Sequence, residues 1–179
     1  HPHEDHIEGI FTLLEKIKVK KVMISENVDN TELGVKLIEL CKSKKTEVIR
    51  VAKGDDFVID GIKFSVIFPS RKDNEENLNN MSILMKMEYA GVKILFTGDL
   101  EKEKEENLKG DLSADILKVG HHGSTTSTSE KFLKKVMPQI ALISVGEDNS
   151  YGHPNQKVLD RLEKYNVKVY RTDIDGEIR

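Results

Sequence analysis

The chain opens on His1-Pro2-His3-Glu4-Asp5-His6, a run dense in imidazoles and carboxylates. Alternate residues of an extended stretch face the same side, so His1 and His3 can share a metal ion, while Asp5 and His6, at the turn into a helix, can serve a second. Neutral imidazole and carboxylate suit zinc, manganese or iron. A tag remnant or a solvated terminus is the bland alternative; tag histidines are contiguous, however, and the remaining histidines do not depend on this run. All 6 histidines fall in three places: this opening, the pair His121-His122, and His153.

Other segments supply partners for them. Leu95-Phe96-Thr97-Gly98-Asp99 is an apolar strand that delivers an aspartate past a glycine, and such a carboxylate can bridge two cations. By itself this is also an ordinary strand-to-turn sequence. Val119-Gly120-His121-His122-Gly123-Ser124 places adjacent histidines between glycines at a strand end, where packing gives them no role; one can ligate metal while the other faces substrate. Asn149-Ser150-Tyr151-Gly152-His153-Pro154 sets a histidine before a proline-started helix, whose N-terminus favours anions, so His153 can donate to a phosphate or a leaving group. Thr125 to Ser129 read as loop and capping residues, and the charge run Glu101 to Glu106 as a solvated helix face.

The elements that must position these residues alternate. Ile7, Ile10, Phe11, Leu14 and Ile17 recur at helical spacing before a short strand, Lys21 to Ser25. A second helix capped at Asn30 or Thr31 runs to Lys44, followed by the strand Glu47 to Ala52. Phe57 to Phe68 reads as a hairpin turning at Asp60-Gly61, the polar stretch 71–80 as a loop, and Ser82 to Thr97 as a second hairpin through Ala90-Gly91. Helices over 101–108, 129–136 and 154–165 then alternate with strands at 116–119, 140–145 and 168–171. This is one layered α/β domain over residues 1–179 with a mixed sheet. Asp99, His121-His122 and His153 all lie where a strand gives way to a loop or helix, the edge where such layers bind ligands.

Composition limits the alternatives. The chain has 179 residues, 37% hydrophobic and 33% charged, which excludes disorder and collagen-like repeats. No run of apolar residues is long enough for a membrane span, and the start carries no signal-peptide pattern. A formal net charge of −3 disfavours a binder relying on a general basic field, and the absence of tryptophan with 6% aromatics makes a poor stacking platform for single strands. The one cysteine, Cys41, falls in the apolar register of the second helix and is expected in the core.

His-x-His-x-Asp-His, then Gly-Asp, then His-Gly at a strand end resembles the metal-site order of the metallo-β-lactamase fold. Finer wording, Asn79-Asn80-Met81-Ser82, Leu95-Phe96-Thr97-Gly98-Asp99, Leu117 to Ser124, Ile143-Ser144-Val145-Gly146, Tyr151-Gly152-His153-Pro154 and Tyr170-Arg171-Thr172-Asp173, resembles the metallo-β-lactamase domain of ComEC-type DNA-internalisation competence proteins and their free-standing relatives. The resemblance covers essentially the whole chain. It implies an αββα sandwich with mixed sheets, lacking its N-terminal strands here, so that the chain is expected to be part of something longer. It also implies two divalent metal ions, zinc or manganese: His1 and His3 on the first, Asp5 and His6 on the second, and Asp99 bridging. His122 aligns with the histidine that completes the second site, leaving His121 and His153 for the substrate phosphate or leaving group; the choice between His121 and His122 stays open. Asn80 and Ser124 are expected at the substrate. The histidine that the fold supplies to the first metal between Asp5 and Asp99 is missing, and Asn79 and Asn80 occupy that loop, so the first site should bind weakly, prefer manganese, or fill only with substrate.

Two metals about 3.5–4 Å apart lower the pKa of a shared water and steady an in-line displacement, with Asp5 orienting the hydroxide. The expected function is therefore a phosphodiesterase or nuclease, with single-stranded DNA as the substrate suggested by resemblance and a membrane channel in the same polypeptide or complex as partner. Rivals are a small phosphoester hydrolase of the phosphorylcholine-esterase type, a β-lactam or thioester hydrolase, and a docking domain without activity. The domain itself is expected to be soluble, cytoplasmic or membrane-associated according to its context.

Overall fold

The computed structural model describes residues 1–73 and 76–179. Positions 74 and 75, part of the stretch expected as a loop, lie outside the described residues. The first unit is helix, strand, helix, strand: α1 (Glu4–Lys16), β1 (Lys21–Ile24), α2 (Glu32–Ser43) and β2 (Glu47–Arg50). Thr31 caps α2 by accepting the Gly34 N–H on its hydroxyl at 3.1 Å. Strands β1 and β2 pair in parallel, and Ile7 and Leu14 of α1 pack with Val22, Ile24, Leu37 and Cys41 in one apolar cluster. Cys41 is fully buried, as its register requires.

The second unit is a seven-stranded sheet in chain order: β3 (Asp56–Ile59), β4 (Ile62–Phe68), β5 (Leu84–Tyr89), β6 (Val92–Phe96), β7 (Ile116–Lys118), β8 (Ile140–Ile143) and β9 (Lys168–Arg171). The junctions from β3 to β6 are antiparallel and those from β6 to β9 parallel, so the sheet is mixed, as expected. Both hairpins turn where two consecutive residues take positive φ, Asp60-Gly61 (50° and 80°) and Ala90-Gly91 (50° and 83°), the backbone that matches strand twist in a two-residue turn. Helices α4 (Glu130–Val136) and α5 (Gln156–Lys164) bury Phe132, Leu133, Val136, Val158 and Leu162 against Leu95, Leu117, Ala141 and Ile143. The parallel strands β6, β7 and β8 thereby present their carboxyl ends on one edge, and α6 (Thr172–Asp175) follows β9.

Several boundaries differ from the sequence pattern. Part of the expected loop is a 3-10 turn, Leu78–Met81, with Asn79, Asn80 and Met81 buried. Helix α5 begins at Gln156 rather than at Pro154, because the Asn155 side chain caps it by accepting the Lys157 N–H. The helix expected over 101–108 is the single turn α3 (Lys102–Glu105), and its charge run is not all solvated: Glu105 is fully buried.

Glu105 has a structural reason to be inside. Its Oε1 accepts the Thr128 N–H at 2.7 Å and its Oε2 the Ser129 N–H at 3.0 Å. Arg161 of α5 donates to the Ser127 and Thr128 carbonyls, and the Thr128 hydroxyl accepts the Gly120 N–H at 3.1 Å. A carboxylate from α3 and a guanidinium from α5 thus clamp the loop that follows His121-His122. Burial pushes the Glu105 carboxyl up to about 7, against the pull of the Ser129 and Thr128 N–H groups. A carboxyl raised on folding contributes stability that is complete below its unfolded value and is lost as pH rises through the folded one. Urea unfolding should show the wild type losing up to about 3 kcal/mol relative to Glu105→Gln between pH 4.5 and 7, then running parallel to it. Parallel curves throughout would place the proton elsewhere.

Candidate metal centre

The site is built around Asp99. Past the end of β6, Gly98 takes φ +53°, and a Cβ added there would meet the Ser82 hydroxyl at 2.6 Å. This close approach lets the Ser82 Oγ accept the Asp99 N–H at 2.9 Å while it also bonds His1 Nδ1 at 2.9 Å. One buried hydroxyl therefore sets the position of a carboxylate and an imidazole from opposite ends of the site.

Four imidazoles converge on the Asp99 Oδ2 through their Nε2 atoms: His6 at 3.1 Å, His1 at 3.6 Å, His122 at 3.7 Å and His121 at 3.8 Å. Asp5 approaches from the first turn of α1, 3.2 Å from His122 Nε2 and 3.5 Å from His6 Nε2. Asp5, His6, Asp99 and His122 each offer a ligand atom, all within 4.8 Å of one another. Burial alone would raise the Asp99 carboxyl; the His6 hydrogen bond and the neighbouring His6, His122 and His121 outweigh it and hold the carboxyl below its ordinary value.

The histidine pair sits in an unusual backbone. His121 (φ 48°, ψ 49°) and His122 (φ 52°, ψ 19°) are consecutive left-handed residues, an arrangement costing about 1–3 kcal/mol per residue that the surrounding clamp must offset. It turns the two rings differently. His122 Nδ1 lies 2.7 Å from the Ser144 carbonyl, which can only accept, so Nδ1 donates to it and Nε2 is the nitrogen turned toward Asp5 and His6. His121 Nδ1 instead meets the Thr126 hydroxyl at 3.1 Å, and its ring faces His153 with centroids 5.8 Å apart.

These residues border an open cleft of about 630 Å³, lined also by His3, Asn79, Tyr151 and Leu33 of α2. His3 stands edge-on to His1 at 4.8 Å between centroids. His153 is fixed by Asn149, which accepts its N–H at 3.0 Å and donates to its carbonyl at 2.7 Å; burial, with His121 and His122, pushes its imidazole below the ordinary value against Asp99. Asn80 does not reach the cleft: its side chain takes the Glu101 N–H at 3.1 Å and donates to Glu103 at 3.2 Å. Asn79 lines the cleft instead. The Ser124 hydroxyl is spent on Thr126, which it meets at 3.1 Å. Residues given no role by the sequence reading also stand here. Ser82 is one. Lys118 is another, a half-buried lysine whose ammonium donates to the Val119 carbonyl at 2.8 Å and whose pKa burial lowers against the pull of Asp99 and Asp5.

The donor set fits a cation. Asp99 Oδ1, His1 Nε2 and Asn79 Oδ1 are buried with no hydrogen-bond partner among the described residues. An unsatisfied buried polar atom costs about 1–3 kcal/mol, and a bound metal ion removes that penalty for carboxylate, imidazole and amide oxygen alike. A ring of imidazoles on a buried carboxylate, at the carboxyl ends of parallel strands, is a candidate metal centre on a layered α/β fold.

Residues 1–147 match the metallo-beta-lactamase superfamily, and the chain belongs to it. ComE operon protein 3 of Bacillus subtilis (strain 168) is 37% identical over 182 residues, covering 100% of this chain and 23% of that protein. Competence protein ComA of Neisseria gonorrhoeae is 37% identical over 124 residues, 67% of this chain and 18% of that protein. The chain therefore spans less than a quarter of the length of these relatives. Among solved structures, the metallo-beta-lactamase fold protein YhfI from Bacillus subtilis superposes with a TM-score of 0.58 at 12% identity, over 96% of this chain and 71% of that one, a likeness of fold. Fold, donor set and relatives agree on a metallo-β-lactamase-fold metal hydrolase related to competence proteins. Among the described residues no helix is long and apolar enough to cross a membrane.

Removing the shared hydroxyl tests this arrangement directly. Ser82→Ala leaves the Asp99 N–H without its acceptor and His1 without its orienting partner, at about 1–3 kcal/mol of stability and 10–100-fold in metal affinity. Urea unfolding and calorimetric titration with manganese should show both losses together.

Proposed function

We propose that the chain is a metal-dependent phosphodiester hydrolase acting on single-stranded DNA, working beside a membrane channel supplied by the same polypeptide or complex. The observation that carries this reading is the convergence of four histidine Nε2 atoms on the Asp99 Oδ2 within 3.1–3.8 Å, beside an open cleft of about 630 Å³. The relatives named for competence direct the choice of substrate to DNA. Asp5, His6 and His122 would hold one divalent ion and His1 and His3 another, with Asp99 between them; bound there, such ions supply Lewis acidity and a nucleophile at neutral pH.

The chain's own residues account for the remaining chemistry. Asp5, with 60% of its side chain exposed and within 3.2 Å of His122, can orient an attacking water by accepting its proton's hydrogen bond. His121 and His153 lie outside the four-residue donor group and border the cleft, where an imidazole N–H can hold a phosphoryl oxygen or hand a proton to the departing one. Burial, with His121 and His122 nearby, lowers the His153 pKa, which suits that ring to holding a phosphoryl oxygen by an N–H and leaves the proton transfer to His121.

Asn79 takes the place of the missing imidazole in the first site. Its Oδ1 is buried and unpartnered among the described residues, because its amide nitrogen is anchored on Glu101 at 3.0 Å. A carbonyl oxygen favours manganese where imidazole favours zinc. Asn79→His should therefore shift metal preference toward zinc, read by competition titration of the two ions; an unchanged preference would remove Asn79 from the site.

The activity test is manganese-dependent cleavage of single-stranded DNA. Asp99→Ala should abolish turnover and His122→Ala should lose bound metal. His121→Ala and His153→Ala should lower kcat by about 10²–10³-fold while keeping the metal. A folded, metal-loaded protein that leaves DNA intact and turns over a small phosphomonoester would reassign the substrate.

A further inference from the structure

Tyr151 is the most exposed large apolar side chain of the described residues, at 82%. It is nonetheless ordered against the site: its ring lies nearly parallel to His153, 21° between planes and 5.9 Å between centroids, and it lines the metal cleft. Asn149 grips the His153 backbone from both sides, so the ring beneath Tyr151 is held in place. Gly152, at φ +68°, makes the turn that folds Tyr151 back over it. One face of the phenol ring is thus turned toward His153 at the edge of the cleft, and the ring as a whole stays open to a ligand. Among the described residues the hydroxyl makes no hydrogen bond that would explain the ring's position.

Going outward from the carboxylate, the rings form a path: His122, His121, His153, Tyr151. The inner two face charge; the outer one faces water with an open π surface. A substrate whose charged group lies at Asp99 would bring what it carries next to that charge onto Tyr151. For a nucleic acid strand this neighbour is a base, and base-on-aromatic stacking is the sequence-tolerant contact by which proteins hold single strands. In a duplex the base faces are already covered by their neighbours. Resting on the phosphodiester reading above, we infer that Tyr151, backed by His153, is a stacking platform for an unpaired nucleobase flanking the phosphate held at the metal centre. The sparse aromatic content does not weaken this, because one well-placed ring serves one base.

The test has a binding arm and a cleavage arm, both on the full chain. With manganese, a single-stranded oligonucleotide of nuclease-resistant phosphorothioate linkages carrying 2-aminopurine should lose fluorescence on binding wild type and Tyr151→Phe. Tyr151→Ala should bind about 5- to 100-fold more weakly and without the quench. With manganese, the preference of wild type for a normal over an abasic oligonucleotide, in kcat/KM, should collapse toward one in Tyr151→Ala. Equal quenching and equal preference in Tyr151→Ala would overturn the platform while leaving hydrolysis intact. A wild type that quenches the probe yet cleaves neither oligonucleotide would keep the platform and overturn the hydrolytic reading.

Discussion

The structure depends on keeping one carboxylate charged where water cannot reach it. Asp99 is 2% exposed, and burial by itself would drive a proton onto it. Its histidine neighbours prevent that, and they come from two distant parts of the chain: His6 from the opening, beside His1, and His121 and His122 from the end of β7. The two-unit architecture follows from this need. The parallel strands β6 and β7 bring Asp99 and the histidine pair to one edge, while the N-terminal unit, with its separate apolar cluster, lays the start of α1 across it. Neither unit holds a complete site, so docking the two is equivalent to assembling it.

Holding the histidine pair in place requires a second buried carboxylate. Two successive left-handed residues are unfavourable, and the loop after them could relax if it were free. Glu105 and Arg161 deny it that freedom by occupying its amide and carbonyl groups. On the far side Gly123 packs so close to Pro154 that a Cβ would come within 2.5 Å of it, and the Gly123 carbonyl accepts the Asn155 N–H at 2.9 Å. The His153 loop is thereby tied to the His121-His122 turn, and the histidines of the cleft keep their spacing through backbone contacts rather than through the rings themselves.

The pattern of the sequence carried the mixed sheet, because apolar runs with hairpin turns are written locally, and it named the histidines and aspartates that the structure brings together, because donor types at strand ends are local too. Glu105 was illegible for the opposite reason. In a run of alternating charges it looks like any solvated helix residue, and the N–H groups that take it inside lie more than twenty residues away. Ser82 and Asn79 fall within a motif of the sequence, but what each side chain holds, the Asp99 N–H and Glu101, is set by residues 17 and 22 positions away. Choosing Asn80 over Asn79 for the cleft needs the direction of each side chain within a single 3-10 turn, and neighbouring residues of a turn point to different sides. Which nitrogen of His122 turns toward Asp5 and His6 likewise depends on a carbonyl, that of Ser144, which no side-chain pattern records.

The two halves of the centre are not equally prepared. Asp5, His6, Asp99 and His122 already converge within 4.8 Å, and the Ser144 carbonyl takes up His122 Nδ1 so that Nε2 is the nitrogen turned to the centre. His3 and Asn79 lie along the cleft wall, with an amide oxygen where a third imidazole would tighten the grip. A donor set gathered in advance binds without reorganising, whereas one spread along an open wall gains most when something else in the cleft completes it. On the proposed reading that completing group is a phosphate oxygen of the substrate. The depleted half then links occupancy of the centre to occupancy of the cleft, and the missing histidine becomes a means of coupling rather than a defect.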